Sequence, residues 1–213
     1  MKLDVPYYSQ FVDVQDSFWM LRACGMISLT MVSEFHGVQK EEILTLCEEA
    51  LTRGGYDIEN GWIHDYLVTK AKEIGLEAYR KEGLTDVQEI IASLDAGNPV
   101  IVSVEKRVLE QKRFHLIVLV GYDKSQIEKL GFEDVRSQEA KDQGVDLADN
   151  TQHADSHGQN SDSATSYKLQ ANGCFYYHEP ESTDKEKGKF RSCDISTFMQ
   201  YFRGKAIFIS KKT

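Results

Sequence analysis

Nothing in the 213 residues is long and apolar enough to cross a membrane. The longest purely aliphatic run, Leu116 to Val120, falls far short of the ~20 residues a spanning helix needs. No secretory leader is expected either. Met1-Lys2 runs straight into Leu3-Asp4-Val5-Pro6 with no apolar stretch, so the cytoplasm is the expected compartment unless a leader has been removed upstream. Positive charge is in deficit: 25 Lys and Arg face 34 Asp and Glu, a net charge of −9 and a pI of about 5.2. Such a chain has no electrostatic reason to bind nucleic acid or an anionic membrane. Cysteine is sparse, at positions 24, 47, 174 and 193, and no two form a C-x-x-C pair, which argues against a zinc ribbon or a thioredoxin-type site. His153 and His157 lie in an acidic, structureless stretch and make a poor metal site. No metal or organic cofactor is expected, and oligomeric state is not legible.

What is present reads as helices followed by strands. Ile27, Met31 and Phe35 recur every four residues across 24–36, and Gly37 suits a C-terminal cap. The same periodicity predicts helices over 40–52, 61–74 and 85–96, the last opening on Thr85 and Gln88 at capping-box spacing. Beyond them, 99–104, 115–120, 174–178 and 206–209 are β-branched or aromatic runs that read as strands. A short helix is expected at about 194–203. The fold class implied is α+β, a helical lobe on an antiparallel β-sheet, forming a single domain over 1–213. The stretch at about 125–171 stands apart. Its middle, 138–166, is Asp, Gln, Ser, Ala and His with almost no large apolar side chain. It cannot offset its chain entropy and is expected to be a disordered insertion between two strands.

Cys24 is the sharpest candidate for chemistry. A thiol at a helix start feels the positive end of the dipole and unpaired N–H groups, which should draw its pKa below the ~8.5 of a free thiol. The following Gly25 is expected to keep the turn open for a substrate carbonyl. His115 opens a strongly apolar strand, which would set an imidazole at the rim of a rigid sheet. A cysteine nucleophile needs such a base. Glu179, at a strand end beside Pro180, is the third member, placed to fix the tautomer of the ring and support its charge. Cys47 lies on an apolar helix face and reads as structural. His64 reads as core or cleft lining. Cys174 and Cys193 carry no assignment.

Several motifs occur in order: Leu3-Asp-Val-Pro-Tyr-Tyr-Ser-Gln10, Cys24-Gly-x-x-Ser28-Leu-x-Met31-Val, Gly61-Trp62-x-His64, Gly97-x-Pro99-Val-Ile-Val, His115-Leu-Ile-Val-x-x-Gly121-Tyr-Asp123, Phe175-Tyr-Tyr-His-Glu-Pro180 and Gly204-x-Ala206-Ile. Together they resemble the peptidase family that processes bacteriocin leaders, in its stand-alone, C thirty-nine-like group. The resemblance spans nearly everything outside the insertion. It implies a papain-like fold, a Cys nucleophile on Cys24, a His base on His115, and a helper acid on Glu179, where the family usually has Asp before Pro. It also implies a Gln that donates to the oxyanion, which maps best on Gln10, with Gln15 the second choice. Phe114 stands where a Gly often precedes the His and is expected to narrow the cleft; Met26 stands where a Pro often follows Cys-Gly. The implied reaction is hydrolysis of a peptide or protein amide through a thioester. Two other readings stay open: a non-catalytic peptide-binding module of the same fold, and a thiol acyltransferase or isopeptidase with the same triad. Replacing 138–166 with a short Gly/Ser loop should leave a protein that folds, with a thermal midpoint close to that of the parent; failure to fold would place that stretch in the core.

Overall fold

The structure, a computed structural model, describes residues 1–108, 111–123 and 173–212. The expected insertion, with His153 and His157, lies outside the described residues. Among those described, the order is α1 (Gln10–Asp13), a 3₁₀ turn at Trp19–Leu21, α2 (Cys24–Phe35), α3 (Ile43–Thr52), β1 (Tyr56–Asp57), β2 (Gly61–Trp62), α4 (His64–Glu73), β3 (Leu76–Lys81) and α5 (Gln88–Asp95). There follow β4 (Val100–Val108), β5 (Gln111–Tyr122), β6 (Cys174–His178), α6 (Lys185–Gly188), β7 (Arg191–Asp194), α7 (Ile195–Tyr201) and β8 (Phe202–Lys211).

Six strands form one sheet in the order β3-β8-β4-β5-β6-β7, every neighbouring pair antiparallel. Side chains alternate across a strand, and here both faces are covered. Ile101, Leu116, Val118, Val120, Ile207 and Ile209 join a core with α2, α3 and α4. Val100, Val102, Ile117, Leu119, Ala206 and Phe208 join a second core with α5 and α7. This explains why 116–120 reads as an unbroken apolar run, since a strand buried on both sides needs no polar face. It also adds a helical layer to the expected architecture: the sheet has the lobe on one side and α5 with α7 on the other.

Several boundaries differ from the sequence reading. The helix expected over 61–74 begins at His64, because Gly61 (φ 84°) and Trp62 pair instead with Asp57 and Tyr56 in a two-stranded ribbon. The capping box at Thr85 and Gln88 does not form. The cap of α5 is Val87, and Asp86 Oδ1 accepts from the Gln88 N–H at 2.9 Å. Strands β3 and β7 were not anticipated, and β4, β5 and β8 extend beyond their apolar centres into charged residues. Helix α2 is buried all round from Cys24 to Ser33. Its hydroxyls are absorbed partly by back-bonding, Thr30 Oγ1 donating to Met26 O at 2.9 Å and Ser33 Oγ to Thr30 O at 3.1 Å. A helix sunk this deeply holds its first residue in one place. Phe175 is fully buried and meets Phe198 edge-on at 5.0 Å between ring centres. Phe175→Ala should cost about 3–5 kcal/mol in a denaturant titration; a loss under about 1 kcal/mol would mean that this second core contributes little.

Candidate active site

Cys24 is the first residue of α2, and its position is set by the segment before it. Asp16 Oδ1 accepts from the N–H groups of Phe18 (3.0 Å) and Trp19 (2.8 Å), closing the 3₁₀ turn that delivers the chain to Ala23. The indole Nε1–H of Trp62 donates to Arg22 O at 2.7 Å, pinning the same segment from the β2 side. The cap position holds Ala23, which has no side chain to bond the first-turn N–H groups. An ordinary helix would gain about 1 kcal/mol from Ser, Thr, Asp or Asn there. Forgoing it leaves the first-turn donors available to an anion beside Cys24.

Gly25 also meets a packing need that its sequence context does not show. A Cβ on Gly25 would lie 2.4 Å from Trp62 Cγ, so the glycine exists to let the indole lie on the start of α2. Trp62 in turn belongs to an aromatic cluster with Trp19 and Tyr56 at centroid distances of 5.1 to 6.1 Å.

His115 pairs with Val104 across β4 and β5, and is 4% exposed. Its Nε2–H donates to Glu179 Oε1 at 2.5 Å, and the Cys24 side chain lies near enough to act on the ring. With Nε2 taken, Nδ1 is the nitrogen left for the thiol. Burial works against a charge on this ring, but Cys24 and Glu179 on either side outweigh it and hold the pKa up at about 9. Glu179 follows β6 and is also 4% exposed. Burial opposes its charge as well, yet His115, Lys106 and the Glu181 N–H hold its carboxyl down at about 2. Glu181 N donates to Oε1 at 3.0 Å, and Lys106 Nζ stands 3.3 Å from Oε2. Behind these, Glu181 pairs with Lys106 (2.7 Å) and Arg113 (3.1 Å). The extra methylene of Glu relative to Asp does not prevent contact with the ring. The loop is tied to the N-terminal segment by Tyr7 Oη–H donating to Glu179 O (2.6 Å) and Gln10 N–H to Pro180 O (2.8 Å).

Gln10 is 1% exposed and donates from Nε2 to Met20 O at 3.0 Å, which leaves its second amide hydrogen for another acceptor. Gln15 is exposed. Cys47 is fully buried and far less acidic than a free thiol, because burial pushes it up. A cleft of about 400 Å³ opens over Cys24 and His115, walled by Trp62, His64, Phe114 and Arg203 among others. His64 therefore lines the cleft. Phe114 is exposed on its rim with the Arg203 guanidinium 3.4 Å from its ring centre. Met26 is core. Lys106, Arg113 and Arg203 went unnoticed in the sequence; the signal available was a charge at the end of each apolar strand.

The sequence model of the Peptidase C39-like family matches residues 2–155, a span that contains Cys24 and His115 and ends before Glu179. The chain belongs to this family. No curated protein sequence matches it. Among solved structures, a double glycine motif protease from an AMS/PCAT transporter, in complex with the leader peptide, superposes with a TM-score of 0.52 at 13% identity, covering 99% of this chain and 94% of that one. The peptidase domain of Streptococcus ComA, a bi-functional ABC transporter involved in a quorum-sensing pathway, gives 0.50 at 16% identity over 90% and 93%. The fold of this family member is accordingly papain-like. Among the described residues no helix is long and apolar enough to cross a membrane, and no cluster of three or more His, Cys, Asp or Glu could hold a metal.

Gly25→Ala should push the indole away from α2 and destabilise the protein by about 1–3 kcal/mol, whereas the volume-conserving Met26→Leu one residue on should cost under about 1.5 kcal/mol. Chemical denaturation followed by tryptophan emission separates the two. A Gly25→Ala protein as stable as the parent would show that Trp62 has room to spare.

Proposed function

We propose that this family member is a cysteine peptidase working through Cys24, His115 and Glu179, with Gln10 and the Cys24 backbone N–H as the oxyanion donors. The observation that carries this reading is the buried imidazole of His115, bonded to an ionised Glu179 and close enough to Cys24 to feel its side chain, with both lining one cleft. His115 takes the thiol proton, and the thiolate attacks the substrate amide carbon. The oxyanion forms at the uncapped start of α2, against the remaining amide hydrogen of Gln10. Imidazolium then protonates the departing amine, and water, activated by the neutral ring, hydrolyses the thioester and frees Cys24. Glu179 keeps the ring in one orientation and carries a charge that favours imidazolium. The buried amide of Gln10, one hydrogen bond from Met20 ahead of the nucleophile, supports it over the exposed Gln15. Likeness to a double glycine motif protease holding a leader peptide supports a peptide as substrate.

Hydrolysis of a mixed peptide pool, followed by mass spectrometry, tests the activity. Products should carry free carboxylates, and Cys24→Ala should form none. Products coupled to an added amine in place of water would favour an acyltransferase, and no turnover with Cys24 still ligand-accessible would favour the binding module. The pH dependence follows from the two shifted groups. His115 is raised, so the imidazolium is fully present below its ordinary value near 6.5 and is lost as pH rises through about 9. Glu179 is depressed, so its carboxylate is complete above about 4.5 and is lost only as pH falls through about 2. The alkaline fall in kcat/KM should therefore centre near 9 in the parent. Glu179→Gln should shift that fall to lower pH, because one group holding the proton on the ring is gone, and should slow turnover about 10-fold or more. Glu179→Asp should retain more activity than Glu179→Ala. An alkaline limb unmoved by Glu179→Gln would remove Glu179 from the mechanism.

A further inference from the structure

The cleft has the opposite charge to the chain around it. The protein carries a net charge of −9, yet the full charges lining the cleft are Arg22, Arg113 and Arg203 against Glu59 alone. Two of these arginines are occupied. Arg113 pairs with Glu181 and donates to Leu21 O at 3.0 Å; Arg22 donates to Phe18 O at 2.9 Å and lies over the Phe18 ring. Arg203 differs. It is half-buried, its guanidinium is 3.4 Å from the centre of the Phe114 ring, and Nη1–H donates to Ser103 Oγ at 3.1 Å. Phe114 and Ser103 thus clamp the fork from below and from the side. Glu105 and Glu82 act on it from a distance, and Glu82 is itself bonded to Arg80 and Lys205. A guanidinium has five N–H donors in a planar fork matched to a carboxylate; here one is spent on a hydroxyl, and Arg203 lines the cleft it shares with Cys24.

We propose that Arg203, held by Phe114 and Ser103, is a specificity residue that binds a carboxylate on the peptide substrate, an Asp or Glu side chain close to the reacting bond. The proposal deepens the peptidase reading and rests on Cys24 being the reactive group. Partial burial strengthens an ion pair relative to open surface. Stacking on Phe114 fixes the orientation of the fork before substrate arrives, so less freedom is lost on binding. Phe114, Arg203 and His115 all line the cleft, so this carboxylate site shares it with the catalytic ring.

The test uses a matched pair of affinity labels, chloroacetyl-glutamate amide and chloroacetyl-glutamine amide, in which the Cys24 thiolate displaces chloride. They differ only in whether the side chain ends in a carboxylate. At low salt the glutamate label should modify Cys24 about 10-fold faster than the glutamine label, and in Arg203→Gln the two rates should fall within about twofold of each other. Arg203→Lys should keep part of the preference, which is read in each variant as the ratio of its own glutamate-label and glutamine-label rates. Equal rates for the two labels in the parent, or a preference that survives Arg203→Gln, would overturn the proposal. If the neutral label fails to favour Cys24 over the other cysteines, the peptidase reading falls, and the charge preference is read instead by binding. Acetyl-glutamate and acetyl-glutamine peptides are then titrated into Cys24→Ala and followed by tryptophan emission. Tighter binding of the acidic peptide, lost in Cys24→Ala with Arg203→Gln, keeps the proposal, and equal binding overturns it.

Discussion

The hydrogen bond from His115 Nε2 to Glu179 Oε1 is the interaction on which the rest of the site depends. Both partners are almost wholly buried, and a buried charge is tolerated only when it is paired and hydrogen-bonded. Neither group can be removed without leaving the other exposed to that cost. The pair also spans the fold, since His115 belongs to β5 and Glu179 to the turn after β6, 64 residues later. With Nε2 held there, Nδ1 is the ring nitrogen left open.

The surroundings are arranged in support. On the acid side His115, Lys106 and the Glu181 N–H keep Glu179 ionised despite its burial, while Lys106 and Arg113 pair with the Glu181 carboxylate behind it. On the thiol side the protein forgoes a side-chain cap at Ala23, and Asp16 and Trp62 hold the chain that a cap would otherwise steady. Helices α4 and α5 also lack a side-chain cap, but at α2 the uncapped start lies beside Cys24 and the cleft.

Apolar periodicity revealed the framework well and the margins of the site poorly, for one reason. Helix α2 was readable almost to the residue because it is buried from Cys24 to Ser33, and strand β6 because its aromatic run stops before Pro180. Strands β4, β5 and β8 were read short, each cut where charge begins: Glu105 and Lys106, Arg113, and Arg203 to Lys205. Those charged ends are the parts that surround Glu179 and the cleft, so a method that follows hydrophobic pattern stops where the chemistry starts. Cys24, His115 and Glu179 could be singled out by type and place, at a helix start, at the start of an apolar run and just past a strand end, although β5 itself begins four residues before His115. Their supporters could not, because Lys106 and Arg203 acquire meaning only when antiparallel pairing brings β4, β5 and β8 side by side. The structural role of Gly25 was hidden for the same reason, since Trp62 reaches it from 37 residues away.

The central claim is that His115 activates Cys24, and alkylation by iodoacetamide at about pH 6 tests it most directly. An ordinary thiol is almost wholly protonated there and reacts slowly. Peptide mapping should find Cys24 modified well ahead of Cys47, Cys174 and Cys193, with that lead abolished in His115→Ala. Slow modification spread over several cysteines, or a Cys24 lead that persists in His115→Ala, would contradict the account.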